Sequence, residues 1–280
     1  MPFEQAPAAA GWSATLALGF AARDAGTVLA RRSHQGPLVV QKPLYPEGPR
    51  VCHAILVHPP SGMAGGDTID VEVAAGRRAH ALITTPGAAK WYRSNGLAAR
   101  QTVRVDLADE AVLEWLPQEA IVYDGAIAST ALSVRMAPSA TFVGLDILCL
   151  GRTASGERFG SGHLRLASRI ERAGELLWLE RGAIAGGSAL LASPVGLDGQ
   201  PVTGTLLAAS PRVGGDLVAA CREVRSAAGR GAVTLLPGML IARWLGPACE
   251  PAKAWLAGIW ACVRPALAGC AAVNPRIWNT

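Results

Sequence analysis

The sequence predicts a mainly β protein with a small C-terminal part that contains two helices. Through the first three quarters of the chain, short runs rich in Val, Ile, Leu and Thr alternate with Gly, Pro, Asp and Asn. This pattern is typical of many short strands joined by tight turns, and not of alternating strands and helices. From Asp216 onwards the apolar spacing changes to that of a helix. We therefore predict a single domain, with stacked or meandering sheets over residues 1–212 and an αββα appendage over 213–280.

Each strand is predicted from an apolar run between two turn signals. Residues 74–77, for example, form a tight turn between the runs 69–73 and 79–83. No internal repeat is strict enough to predict a solenoid from the residues alone. The predicted strands of the body lie at residues 12–20, 27–32, 51–58, 68–73, 79–84, 101–107, 111–116, 129–135, 140–149, 163–170, 175–181 and 202–209.

The appendage is predicted from two helical patterns and the two short strands between them. The first helix begins at Asp216, and Gly229 stands where a helix would stop. The second runs from about 251 to 267, with Pro251 suited to its first turn. The strands 232–236 and 239–245 are joined by a turn at Pro237-Gly238.

Size and composition indicate a globular protein of the cytoplasm. A chain of 280 residues that is 50% hydrophobic can bury one large core. The net charge of +5 is scattered, so we expect no nucleic-acid binding. The six cysteines contain no C-x-x-C pair, which favours free thiols in a reducing compartment. Glu4 replaces the positive charge of an export signal, and the apolar runs are shorter than the roughly 20 residues that span a membrane.

The common catalytic and nucleotide-binding motifs are absent from the sequence. It has no phosphate-binding G-x-x-x-x-G-K-[ST] loop, no dinucleotide fingerprint after a strand, no G-x-S-x-G elbow and no H-E-x-x-H. His53 and His58 lie an odd number of positions apart, so a strand would put them on opposite faces. We therefore predict a protein without catalytic activity and without a tightly bound cofactor.

Three acidic residues, Glu114, Asp146 and Glu180, stand inside strongly apolar strands. A buried carboxylate is costly unless a cation or water satisfies it. A hydrated channel would satisfy all three and would offer a passing divalent cation weak oxygen ligands. In the alternative interpretation Glu180 pairs with Arg181 or another arginine. For Glu114 we favour a place on the solvent face of an amphipathic strand, and for Asp146 and Glu180 both interpretations stay open.

Two loops have two interpretations each. The loop 58–67 either closes a turn with Asp67 or presents His58 and Asp67 at a mouth or an interface. The loop 84–94 is either an ordinary hairpin end or a protein contact, since it carries residues common in interface hot spots. Those residues are Lys90, Tyr92 and Arg93.

Several segments together resemble the UreD family of urease accessory proteins, also called UreH, in order and in spacing. They are Q-K-P-L-Y-P-E at 41–47, H-P-P-S-G-M-A-G-G-D at 58–67, T-T-P-G-A-A-K-W-Y-R-S at 84–94, L-E-W-L-P-Q-E-A-I at 113–121, L-D-I-L-C-L-G-R at 145–152 and P-R-I-W-N-T at 275–280. The resemblance covers residues 12–280. The sequence departs from the family pattern at Ser61 and Met63, in a loop that usually resembles H-P-P-G-G-I, and at Gly144, where a Trp is common.

The resemblance implies a β-helix-like body of stacked sheets and a scaffold role in urease maturation. Members of that family bind the accessory protein UreF, through it the GTPase UreG, and also apo-urease, and nickel is thought to pass through an internal water-filled tunnel. On this basis the candidates for a transient Ni²⁺ path are Asp146, Glu180, Asp67 and His58. The candidates for partner contact are Lys90, Tyr92, Arg93, Trp255 and Trp260, the tryptophans because an apolar C-terminal surface would suit a partner.

Two other functions are alternatives. One is a carbohydrate-active β protein that uses paired carboxylates such as Glu114 and Glu119. That pair is an odd number of positions apart and Pro117 intervenes, so one strand would not put both on one face. The other is an assembly protein that makes no contact with metal.

Overall fold

Two β-sheets that wind around a shared interior form most of the molecule. A computed structural model describes residues 11–279, so Glu4 and Thr280, and with them the ends of the predicted domain 1–280, lie outside the described residues. The strands of the first sheet are β1 (Ser13–Arg23), β2 (Gly26–Gln35), β6 (Thr68–Ala75), β9 (Ala99–Leu107), β12 (Ile127–Met136), β14 (His163–Arg172) and β15 (Glu175–Ala185). Those of the second sheet are β3 (Val39–Val40), β4 (Cys52–Val57), β5 (Gly62–Met63), β7 (His80–Thr84), β8 (Ala89–Trp91), β10 (Val112–Leu116), β11 (Ala120–Val122), β13 (Thr141–Leu150), β16 (Val202–Ala209), β17 (Arg230–Leu236) and β18 (Met239–Gly246).

The chain winds as a coil that visits both sheets in each turn. In the first sheet Thr68 pairs with Arg100, Arg100 with Ser129, and Ser129 with Arg165, all in parallel strands. In the second sheet β4, β7, β10 and β13 stack in parallel in the same way. This solenoid-like arrangement confirms the mainly β fold with stacked sheets.

The short strands β5, β8 and β11 form a further side of the coil. They pair in parallel with one another, and β11 also pairs with the second half of β13. Strands β5 and β8 lie in the segments 58–67 and 84–94, which we interpreted as loops, and β11 lies between two predicted strands. Each has only two or three residues, which is too short to show the alternation on which a strand prediction rests.

Alternating side chains separate the interior of the coil from its surface. On β6, Ile69, Val71 and Val73 are buried between the sheets, whereas the carboxylates of Asp70 and Glu72 point outwards. Period-two alternation explains this division. Every residue of β7 and β10 is buried, because the outer face of the second sheet is covered as well.

The helices are α1 (Ala189–Ala192), α2 (Gly215–Arg222) and α3 (Cys249–Ala268), with 3-10 turns at Thr153–Ser155 and Arg276–Asn279. The sequence predicted α2 and α3 but not the single turn of α1. Helix α2 ends at Arg222, and the prediction that it runs towards Gly229 is wrong. The reason is that the carbonyl of Val224 accepts the indole N–H of Trp255 at 2.9 Å, which holds the chain in a loop against α3.

The C-terminal appendage is continuous with the body. Strand β18 pairs with β16 and with β17, and β16 pairs with β13, so the last strands extend the second sheet in antiparallel order. The β17–β18 turn uses Gly238 with φ +69°, a conformation that favours glycine. Helix α3 lies across the outer face of this sheet and buries a second apolar core there. None of the helices within residues 11–279 is long and apolar enough to cross a membrane.

Candidate functional site

A cavity of about 470 Å³ lies between the two sheets. Strands β6, β9, β12, β14 and β15 contribute its wall on one side, and β10, β13, β16 and β18 contribute the other. Because successive strands of the stack each supply lining residues, the cavity extends along the axis of the coil. Its polar lining side chains include Gln101, Thr130, Ser168, Thr203 and Thr205.

Asp146 projects into this cavity from the middle of β13. Its neighbour Ile147 is buried in the core on the other face of the strand, whereas the Asp146 side chain is accessible from the cavity. Burial within the body raises the pKa of Asp146 to about 6, and the negative charge of Glu180 adds to this rise. Protons therefore compete with cations for this carboxylate at a higher pH than for an aspartate in open solvent.

Glu180 lines the cavity from β15 in the opposite sheet. Its carboxylate accepts a hydrogen bond from the Arg243 guanidinium, with 2.6 Å between Nη2 and Oε1. Both side chains keep partial access to solvent, 37% for Glu180 and 47% for Arg243. Arg181, the neighbour considered from the sequence, is exposed and follows Glu180 on the strand, so it points to the other face. Glu180 is thus both a cavity residue and a partner in an ion pair.

His58 lines the cavity, but Asp67 does not. Burial lowers the pKa of His58, and the charge of Asp67 opposes that shift. The Asp67 carboxylate accepts hydrogen bonds from the backbone N–H groups of Trp12 at 2.8 Å and Ala64 at 2.7 Å. Asp67 therefore closes the turn of its loop, whereas His58 remains in the wall of the cavity. His53, on the opposite face of the same segment, is hydrogen-bonded to Glu47 at 2.6 Å.

The predicted contact residues of the loop 84–94 lie in two different places. Lys90 lines the cavity. Tyr92 makes an edge contact with Tyr123, with ring centroids 5.3 Å apart, and Arg93 forms an ion pair of 2.5 Å with Asp124. Arg93 is largely exposed, so this aromatic and charged cluster is available at the surface.

Trp255 and Trp260 lie in the core and not at the surface where we expected a partner to bind. Their side chains are buried on the face of α3 that packs against the second sheet. The indole N–H of Trp260 donates to Glu114 at 2.6 Å. These two tryptophans are thus covered by contacts within the chain.

Glu114 is completely buried, and the prediction that it faces solvent is wrong. It accepts hydrogen bonds from His80 at 2.7 Å and from Arg264 Nε at 3.0 and 3.1 Å. Arg264 also contacts Glu47, with 2.8 Å between Nη2 and Oε1. Burial would raise the pKa of Glu114, but the hydrogen bond of His80 and the charge of Arg264 outweigh it, and the pKa is lowered. The sequence signal that we missed is Arg264, a charge within the apolar stripe of α3.

The two carboxylates of the alternative hydrolase are both held outside the cavity. Glu114 is bound in the buried network, and Glu119 forms an ion pair of 2.5 Å with Lys253. Neither is part of the cavity wall. Within residues 11–279 no group of three or more His, Cys, Asp or Glu side chains is arranged to hold a metal ion. In this described range the cavity therefore offers a cation fewer than three such ligands at any one place.

Comparisons with known proteins agree with the segments quoted above. A family model described as "UreD urease accessory protein" matches residues 13–279. A protein of Azoarcus sp. strain BH72 is 56% identical over 270 residues, which covers 96% of this chain and 95% of the relative. Proteins of Dechloromonas aromatica and Pseudomonas aeruginosa are 47% and 50% identical to this chain. The matched parts cover 99% and 95% of these two relatives, respectively. All three relatives carry the name "Urease accessory protein UreD".

Proposed function

The chain belongs to the UreD family of urease accessory proteins, and we propose that it acts as a non-catalytic scaffold whose internal cavity conducts nickel towards urease. The observation that supports this proposal is the placement of Asp146, Glu180 and His58 in the wall of one cavity. Asp146 and Glu180 lie near each other on opposite sheets, whereas His58 comes from an earlier coil, so a cation moving along the axis would meet the histidine and the acidic pair at different points.

The chemistry of the lining suits transport more than storage. Carboxylate, hydroxyl and imidazole groups all bind Ni²⁺, but a high-affinity site needs several of them at once. In the described part of the chain no such cluster exists. A conduit must bind a cation well enough to admit it and weakly enough to release it. An acidic pair and a separate histidine in a hydrated cavity meet both conditions.

The family also suggests the partners of the scaffold. We propose that the chain binds a UreF-type accessory protein, through it a UreG-type GTPase, and apo-urease, in the cytoplasm. The surface cluster of Tyr92, Arg93 and Tyr123 has the composition of an interface hot spot. Trp255 and Trp260 would act in such contacts indirectly, by fixing α3.

A scaffold that makes no metal contact is the second candidate, and the Glu180–Arg243 ion pair favours it. If Glu180 only ties the sheets together, its loss would impair the fold or the assembly and not the passage of nickel.

The variants Asp146→Asn and Glu180→Gln separate the two candidates. Each keeps the shape of the side chain and removes a charge that attracts cations, so the conduit predicts normal binding of partners in a pull-down and a several-fold lower urease activation. Asp70→Asn is the matched control, because that carboxylate lies on the outer face, 3.3 Å from Arg104. Normal activation by both cavity variants would reject the conduit, and failed assembly would support the purely structural role.

A further inference from the structure

Arg243 joins the two sheets at the wall of the cavity. It stands on β18 of the second sheet and reaches Glu180 on β15, the last strand of the first sheet. Its guanidinium also lies 5.7 Å from the centroid of the Trp178 ring. The indole of Trp178 is itself fixed by a hydrogen bond of 2.9 Å to Ser168. The guanidinium therefore has two partners in the opposite sheet, one charged and one aromatic.

Strand register places Arg243 near the other cavity carboxylate. Asp146 pairs with Thr205, and Thr205 pairs with Arg243, so the three lie side by side on adjacent strands. All three line the cavity, and Glu180 faces them from the opposite sheet. Two carboxylates and one guanidinium thus share this part of the cavity.

The carboxylates of Asp146 and Glu180 and the guanidinium of Arg243 carry a net charge of −1 when both acids are ionised. Near a protein wall the effective dielectric constant is lower than in bulk water, so that charge attracts cations more strongly than it would in bulk solvent. A guanidinium cannot lose its proton in a protein, so Arg243 opposes any other cation at all accessible pH values. A divalent cation can gain full access to Glu180 only if Arg243 moves away.

We propose that Arg243 is a displaceable counter-ion: a divalent metal cation entering between Asp146 and Glu180 displaces the guanidinium from Glu180, and the return of Arg243 releases the cation. The proposal rests on the proposed conduit and assigns a residue that limits the retention of the cation. Trp178 can bind the displaced guanidinium, since cations are attracted to the face of an indole ring. Because the guanidinium competes with the bound cation for Glu180, the cation can leave the cavity again.

The test is a titration of the purified chain with Ni²⁺ alone, at a pH well above 6, with binding measured by calorimetry or equilibrium dialysis. Arg243→Gln removes the competing charge, so we expect it to bind Ni²⁺ at least about tenfold more tightly than the wild type. Arg181→Gln removes the same charge from the outer face one residue from Glu180, and we expect it to leave the affinity unchanged. Equal gains in both variants, or no gain in Arg243→Gln, would overturn the proposal.

Two further variants keep the proposal falsifiable. Arg243→Lys retains the charge but loses the planar fork, so its affinity should lie between wild type and Arg243→Gln, and weaker binding than wild type would count against the proposal. Asp146→Asn should weaken Ni²⁺ binding both in the wild-type chain and in the Arg243→Gln variant. If Asp146→Asn changes nothing, the conduit itself fails. If it weakens binding while Arg243→Gln has no effect, the role of Arg243 alone fails.

Discussion

Glu114 and Arg264 place two charges where no solvent reaches them. Both side chains have 0% exposure, and their contacts to His80, Glu47 and Trp260 satisfy most of their hydrogen-bonding groups. Such a network joins α3 to the strand β10 beneath it. Buried ion pairs add little net stability over an apolar pair, but removing one partner is costly because the other charge is left alone.

We predict that Glu114→Gln lowers the free energy of unfolding by about 3 kcal/mol, because it removes one of the two carboxylates that bind the buried Arg264 guanidinium and leaves only Glu47 to balance its charge. Chemical denaturation at neutral pH would measure this change. The matched control is Glu110→Gln, whose ion pair with Arg77 has side-chain exposures of 48% and 69%. For that surface pair we expect a loss of about 0–1 kcal/mol.

The lowered pKa of Glu114 determines how the difference in the free energy of unfolding between wild type and Glu114→Gln depends on pH. A carboxyl whose folded pKa lies below its ordinary value of 4.5 contributes stability above that value and loses it as the pH falls through the folded pKa. The gap between wild type and Glu114→Gln should therefore be full at neutral pH and shrink in acid. A gap that stays constant down to strongly acidic pH would contradict the ionic character of the network.

The sequence identified some of these residues but not their relations. Asp146 and Glu180 were recognisable because a carboxylate within an apolar strand needs an explanation, and both line the cavity. The same signal at Glu114 led to the wrong environment, since its partner Arg264 lies on a helix far along the chain. Arg243 was missed for the same reason, because its contact to Glu180 depends on how the two sheets face each other.

Helix α3 covers the outer face of the second sheet and makes a close contact with a glycine of that sheet. The Trp255 ring lies directly over Gly231 of β17, where an added Cβ would come within 2.4 Å of the ring. Trp255 is also held by its hydrogen bond to Val224, so the indole has little freedom to move away.

We predict that Gly231→Ala lowers the free energy of unfolding by about 1–3 kcal/mol, because the methyl group overlaps the buried Trp255 ring. Thermal or chemical denaturation would measure the loss. Gly215→Ala is the control at the first residue of α2, where an added Cβ meets nothing within 4 Å and alanine favours the helix. That change should be neutral or slightly stabilising, and equal destabilisation by both substitutions would contradict the role of Trp255.

Long, regular elements were predictable, and short or context-dependent ones were not. The hairpin of β17 and β18 and the helix α3 have local patterns that their sequences show. The strands β5, β8 and β11 form only because parallel neighbours in adjacent coils pair with them. The early end of α2 depends on a contact with α3, which a local pattern does not contain.

The cavity lies between the two sheets, and its wall combines small or polar residues with large apolar ones such as Trp91 and Trp115. Positions one coil apart, such as Thr68, Arg100 and Ser129, share no residue type, so the coil was not visible as a sequence repeat. The resemblance to the UreD family, and not the residue pattern, suggested the solenoid and the internal path. The structure places the predicted Asp146, Glu180 and His58 along that space.

If nickel passes through this cavity, a bulky side chain in its wall should block the passage. Thr130 of β12 lines the cavity, whereas Ser133 of the same strand lies on the face of the exposed Arg135. The measurement is the nickel content of urease matured with Thr130→Trp or with Ser133→Trp, after both variants are shown to assemble with their partners. We predict that Thr130→Trp lowers the nickel content several-fold, because an indole fills part of the path, and that Ser133→Trp leaves it at the wild-type level. Full nickel content with an assembled Thr130→Trp scaffold would contradict the account.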